Sequence, residues 1–401
     1  MSDSPHAPTP HPGDVVVACL RADHWRRPPA SLAGLVSRVD RDAVARAAAV
    51  HGVSGYVFRA LSQLGAADLA PRLEAAYHGA LRDHLRTVAD LAALAPALEA
   101  TGEWAVLKGP VLAARLHEQP GLRRYGDLDL LVRPADLPAA LAALEACGAR
   151  PAGDDWGVLR RDGVGEVALT LPSGTVVDLH WDVVNEARVR RAFDLPAGAL
   201  LARSRRVELG GVEVRTLDPV DTLLHLCLHA CLGGGQRLVW LKDVERAAAA
   251  VCDWDEVVAR ARASRTALVA AVTLSRAHHV LGALVPAGVV DALAPRLGWR
   301  ALAAASARAR PPQRSDGGPS WDRMLCRATR ATTAASVAEL ARRASAAARE
   351  RLDSRPHAPP PPAAPGARRA YLSWVAGPSA LGWDSGREAG SSRPSSARRS
   401  T

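Results

Sequence analysis

The chain has 401 residues, 48% hydrophobic and 23% charged, an ordinary globular balance with room for substantial cores. Six scattered cysteines do not make a disulfide scaffold, the first thirty residues lack an apolar signal core, and no apolar run suits a membrane span. A reducing cytoplasm is the expected address. The net charge of +10 is concentrated in residues 301–401, which carry 17 arginines and seven acidic residues, so the remainder is neutral and lacks the footprint of a duplex DNA binder. Only two lysines occur, Lys108 and Lys242, a bias that looks like the codon composition of a high-GC genome.

Residues 1–30 are expected to be a disordered N-terminal segment, the first thirteen being rich in Ser, Pro and His. From 31 to 101 the apolar spacing is helical. Leu32, Leu35, Val36 and Val39 lead in, and Leu73 to Leu98 reads as one long helix whose last turn Pro96 should loosen. After Thr101-Gly102 the period changes, and 102–216 reads as a small α/β core. Trp104–Leu107 is a short strand that ends at the turn Lys108-Gly109-Pro110, where proline opens a short helix. Asp127 to Val132 is a strand, and Pro134 to Cys147 a helix closed by Gly148. Further strands are expected at 156–161, 166–171 and 175–181, with turns at Asp162-Gly163 and Ser173-Gly174, then a hairpin over 206–215. Residues 217–352 return to helical periodicity. Beyond 353 lies a low-complexity Arg/Pro/Ser-rich tail, expected to be disordered, with one apolar island at Tyr371–Val375. The fold class is α+β, a small mixed sheet flanked by N- and C-terminal helical regions.

The informative stretch is Arg123-Arg124-Tyr125-Gly126-Asp127-Leu128-Asp129. Side chains alternate along a strand, so Asp127 and Asp129 share a face at about 6–7 Å, where their repulsion is on the order of 2–3 kcal/mol at an effective dielectric near 20. Free solvent or a cation relieves that repulsion most easily. The apolar run Leu130-Leu131-Val132 buries the strand just past the pair, which sets the carboxylates at the mouth of a sheet. In Val177-Asp178-Leu179-His180-Trp181, Asp178 and His180 share one face. Asp127, Asp129 and Asp178 together are hard oxygen donors suited to Mg²⁺ or Mn²⁺. Lys108, Gly109, Arg123 and Arg124 are the candidates for phosphate: a point charge, a close backbone approach and two guanidinium groups. His180 either orients Asp178, contacts substrate, or is a satisfied structural histidine.

These residues, with Pro120-Gly121-Leu122-Arg123 before them and His225-Leu226-Cys227-Leu228-His229, Arg237–Val244 and Asp253-Trp254 after them, resemble the uncharacterised bacterial nucleotidyltransferase family of the polymerase-β-like superfamily. The likeness spans roughly residues 35–300 and is densest over 104–182. It implies a D-x-D metal pair at Asp127 and Asp129, a third carboxylate at Asp178, and transfer of a nucleoside monophosphate from an NTP by two-metal-ion in-line displacement. Arg123 matches the arginine before the family's Gly-Asp. The wider superfamily's Gly-Ser turn is replaced here by Lys108-Gly109-Pro110, so Lys108 is expected to take over the missing phosphate contact. A catalytically inactive nucleotide-binding regulatory or interaction protein on the same fold is the competing reading. The acceptor stays open among a small alcohol, a sugar phosphate, a peptide side chain and a nucleic-acid end, as do base preference and oligomeric state.

A zinc reading of His225, Cys227, His229 and Cys231 fails on helical geometry. At ~100° per residue the two histidines share one face and the two cysteines lie about 200° around from them. Core cysteine and helix-packing histidine are the expected roles. Trp240 and Trp254 are expected to pack between helices.

Overall fold

The computed structural model describes residues 9–22, 24–65, 70–153, 155–352 and 365–377. Seven strands form one mixed sheet: β1 (Trp104–Val106), β2 (Asp127–Val132), β3 (Arg150–Pro151), β4 (Glu166–Thr170), β5 (Val176–His180), β6 (Arg205–Leu209) and β7 (Val212–Thr216), in the order β3-β4-β5-β2-β1-β7-β6. The central pair β2 and β5 runs parallel and sets Asp129 directly opposite Asp178; β1 lies antiparallel to β2 on its other side.

Alternation along the two central strands sorts their side chains. Leu128, Leu130 and Val132 of β2, with Val177 and Leu179 of β5, enter one core with Leu91, Leu94 and Leu98 of the long helix Ala70–Glu99 and with the helix Leu137–Ala146. The opposite face carries Asp127, Asp129, Asp178 and His180, with Leu131 deeper in a small cluster against the helix Ala197–Ala202. Pro96 lies within the long helix, which continues through it to Glu99. The helices Pro219–Leu232, Leu238–Ala250, Trp254–Ala263 and Ala267–Leu281 surround a second large core. No helix among the described residues is long and apolar enough to cross a membrane.

Three expectations are corrected. The segment 1–30 is not wholly disordered: Pro12–Leu20 is a helix in which Val15, Val16, Val17, Cys19 and Leu20 are buried. Its apolar run is covered by Leu238 and Leu241 and by Val280 and Leu281, and Lys242 Nζ donates to the Leu20 carbonyl at 2.9 Å. Residues 1–8 lie outside the described residues. The expected strand at 156–161 is the helix Trp156–Asp162, and Asp162-Gly163 is its end rather than a hairpin turn, Gly163 taking the left-handed conformation at φ 61°. Finally, the apolar island of the tail is the helix Ala367–Ala376, which buries Tyr371 and Val375 in the core behind the sheet. Residues 353–364 and 378–401 lie outside the described residues.

Candidate active site

Asp129 is the electrostatic centre of the polar face. Its side chain is 2% exposed, and its Oδ1 meets Lys108 Nζ at 2.8 Å and His180 Nε2 at 3.0 Å. Burial opposes its ionisation, but Lys108 and His180 outweigh that cost and hold its carboxyl far below the usual carboxylate range. Burial likewise opposes charge on Lys108 and on His180, and the Asp129 carboxylate raises both above their ordinary values. His180 Nδ1 also lies 3.3 Å from Glu166 Oε2, at ion-pair distance without hydrogen-bond alignment. The buried carboxylate is thus matched by two cationic groups on one of its oxygens. Its second oxygen, Oδ2, is buried and has no hydrogen-bond partner among the described residues.

Asp127 and Asp178 are half-buried at the edge of the same cavity. Burial, followed by the charge of Asp129, raises the Asp127 carboxyl. Burial, then Glu166 and Asp129, raises Asp178 to about 6. Both therefore carry a penalty for being charged that a nearby cation would relieve. Oxygen atoms of Asp129 and Asp178 and a ring nitrogen of His180 lie within 4.8 Å of one another, an arrangement that fits a divalent ion. Asp129 Oδ2, without a partner among the described residues, is free to serve as a donor to such an ion. Asp127 lines the cavity beside that cluster without belonging to it.

The phosphate candidates separate into different roles. Lys108 faces the cavity. Gly109, at φ 61°, sits where a Cβ would come within 2.9 Å of the Asp127 carbonyl, so the close approach it permits is to the Asp127 backbone. Arg124 is exposed and does not line the cavity. Arg123 is buried and turned away from solvent: its Nε and Nη2 each donate to the Asp243 carboxylate at 2.8 Å. His117 Nε2 lies 2.9 Å from Asp243 Oδ1, and Tyr56 Oη lies 2.7 Å from His117 Nδ1. Two guanidinium nitrogens of Arg123 are thus committed to a buried network, and Nη1 has no partner among the described residues.

The rest of the cavity was not assembled by sequence reasoning. It encloses about 310 Å³ and is also lined by Glu166, by the loop Val183–Glu186 after β5, by Arg343, and by His225, Leu228, His229 and Leu232 of the helix Pro219–Leu232. Glu166 was findable in principle, because an antiparallel β4 opening at residue 166 pairs it with His180. His225 and His229 share a face as their spacing requires, and here that face meets the cavity. Cys227 and Cys231 turn into the helical core, where Cys231 Sγ donates to the Cys326 carbonyl at 3.3 Å.

A family model described as an uncharacterised nucleotidyltransferase matches residues 37–282. No match was found among curated proteins or among solved structures.

Proposed function

The chain belongs to the uncharacterised nucleotidyltransferase family, and from that premise we propose that it moves a nucleoside monophosphate from an NTP to an acceptor hydroxyl at the Asp127, Asp129 and Asp178 cavity. The observation that carries this reading is the register of β2 and β5. Parallel pairing brings Asp129 opposite Asp178, on the face that also carries Asp127, and one buried oxygen of Asp129 has no partner among the described residues.

Asp129 and Asp178, which cluster with His180, are the residues that would hold Mg²⁺ or Mn²⁺, and Asp127, beside that cluster on the cavity wall, would complete the set. When bound, such an ion supplies Lewis-acid charge to the triphosphate and to the departing oxygen. The remaining work belongs to the chain. Lys108, held by Asp129, offers its ammonium to phosphate oxygens in place of the serine hydroxyl of the wider superfamily. Arg124 stands exposed outside the cavity for the outer phosphates. Arg123 acts from behind, fixing the approach to β2 through Asp243. Asp178, half-buried at the mouth, takes the proton from the acceptor oxygen as that oxygen bonds to the α-phosphorus. The bond from the α-phosphorus to the bridging oxygen breaks, and pyrophosphate leaves.

The test is incubation of the full chain with each α-labelled NTP, in Mg²⁺ or Mn²⁺, followed by mass spectrometry of whatever gains a nucleotide. Label transfer that disappears in Asp127→Asn supports the proposal. One feature favours a second reading, nucleotide binding without turnover: Asp129 is already charge-balanced by Lys108 and His180. Stabilisation by Mg·NTP with no transferred label to any acceptor would select it.

A further inference from the structure

His225 is 6% exposed, lines the cavity, and has no hydrogen-bond partner on either ring nitrogen among the described residues. Buried polar groups ordinarily find partners, so an imidazole buried in a cavity wall with neither ring nitrogen satisfied is poised for a ligand. His229, one turn further along the same helix, lines the same wall, its ring centroid 6.4 Å from that of His225. We propose that this His225/His229 wall is the acceptor half of the site, and that the acceptor is a small hydroxylated molecule carrying no negative charge. The inference rests on the nucleotidyl-transfer reading for the word acceptor, and on the cavity alone for the ligand's chemistry.

The charge lining the cavity decides the class. Its cations are already engaged: His180 with Asp129, Lys108 with Asp129 and, in the proposed reaction, with the phosphates of the NTP, and Arg343 with Glu339 at 2.8 Å and with Glu186 at 3.8 Å. Asp127, Glu166, Asp178 and Glu186 face the same space. A phosphorylated or carboxylated acceptor on the His225/His229 wall would enter against these carboxylates with no further cation among the described cavity residues to receive it. Arg124 and Arg237, which feel one another's charge, lie outside the cavity and leave the polyanionic NTP a separate approach. Neutral imidazoles are the complementary partner for hydroxyls, because each ring both donates and accepts. Burial keeps both rings neutral, lowering His225 to about 3 and His229 well below its ordinary value. Leu228, Leu232 and Val184 supply an apolar flank for a carbon skeleton. The volume, about 310 Å³, is at the small end of ligand pockets.

Glucose, glucosamine and glucose 6-phosphate, one skeleton in three charge states, are the probes. Each is titrated into the full chain with Mg²⁺ and a non-hydrolysable ATP analogue, and in parallel without either. Histidine ring ¹⁵N signals are followed, that of His225 being assigned by its loss in His225→Leu. Saturable shifts of the His225 ring with glucose or glucosamine, and none with the phosphate ester, are expected. In His225→Leu the sugar should bind about tenfold more weakly, the effect of one neutral hydrogen bond, while analogue affinity changes less than about twofold. His225→Asn should recover part of the loss and replaces the leucine variant if that one does not fold. Tighter binding of glucose 6-phosphate, silence with all three probes, or a loss confined to the nucleotide analogue would each overturn the proposal. The titrations without nucleotide keep it separable from the transferase reading, which fails instead if no analogue binds and no label moves.

Discussion

Arg123 donates two hydrogen bonds of 2.8 Å to Asp243, across 120 residues of sequence, and ties the segment entering β2 to the helix Leu238–Ala250. Both partners are almost fully buried. Removing one leaves the other charged and unsolvated, which costs about 3–5 kcal/mol in comparable buried pairs. Arg123→Ala and Asp243→Asn should therefore each lower unfolding free energy by about that amount in urea melts. Lysine is not a substitute, because it cannot reproduce the two-pronged geometry. A variant of Arg123 with unchanged stability and weaker NTP binding would instead restore the phosphate role that its position before Gly-Asp suggests.

The two members of the D-x-D pair should behave differently. Asp129→Asn strands Lys108 and His180 beside a neutral amide, so it should destabilise the fold by about 3 kcal/mol or more as well as abolish transfer. Among the described residues Asp127 has no such dependants, and its carboxyl is raised by burial and by Asp129. Asp127→Asn removes repulsion, so stability should stay within about 1 kcal/mol or rise, while transfer falls by at least about a hundredfold. Activity and urea stability measured on the same two preparations separate the cases. Equal stability losses in both would place the carboxylates differently from this geometry.

Lys108 carries a related prediction. It neutralises Asp129, so Lys108→Ala should destabilise the protein in chelator, and added Mg²⁺ should raise its melting temperature by more than it raises that of the wild type. A ligand at 100 times its Kd contributes about 2.7 kcal/mol, which is readily measured by thermal shift. NTP affinity should also fall, since no serine hydroxyl shares the turn at Gly109. Unchanged NTP affinity in this variant removes Lys108 from the phosphate site.

Acid should weaken the fold through the buried histidines. Burial lowers His225 from 6.5 to about 3, so its neutral form is favoured in the native state while the unfolded chain takes up a proton near pH 6.5. The native state then binds fewer protons between those values. Stability is fully present above pH 6.5 and is lost as pH falls toward 3, by about 2 kcal/mol at pH 5. His117 and His229 are lowered as well and act in the same direction. His180 and Lys108, raised by Asp129, act oppositely, their contribution being lost as pH rises through their native values. The clean readout is a difference: His225→Leu should flatten the stability profile between pH 7 and 5 by about 2 kcal/mol. An identical slope in both proteins would mean that His225 reaches solvent.

What could be read before folding was what two short strands encode locally. Alternation in 127–132 and 177–181 placed the three carboxylates on common faces, and the apolar runs announced a buried sheet. Roles that depend on a distant partner were not legible. Arg123 looks like a phosphate ligand until Asp243 arrives from another helix. The helix Trp156–Asp162 is too short for its period to show, and Asp-Gly marks a hairpin turn and a helix end alike. Val15-Val16-Val17 reads as helix core only once the helices Leu238–Ala250 and Ala267–Leu281 provide something to bury it against. The histidine face at 225 and 229 was readable as geometry, but nothing local says that it fronts a cavity rather than another helix.

The same long-range logic makes the tail part of the site's support. Tyr371 Oη accepts a hydrogen bond from Trp181 Nε1 at 2.9 Å and donates to the Val164 carbonyl at 3.0 Å, while its ring packs on Trp156. Trp181 follows His180 directly, so the C-terminal helix steadies the end of β5 from behind the sheet while His180 holds Asp129 in front. Tyr371→Phe removes only the hydroxyl and should cost about 1 kcal/mol. Tyr371→Ala opens a cavity among Trp156, Trp181 and Trp374 and should cost about 3–5 kcal/mol. Loosening Trp181 should also reduce transfer, and truncation before residue 365 should reproduce the effects of the alanine variant in both denaturant midpoint and turnover. A truncated chain with wild-type stability and activity would show that the helix Ala367–Ala376 covers the sheet without bracing it.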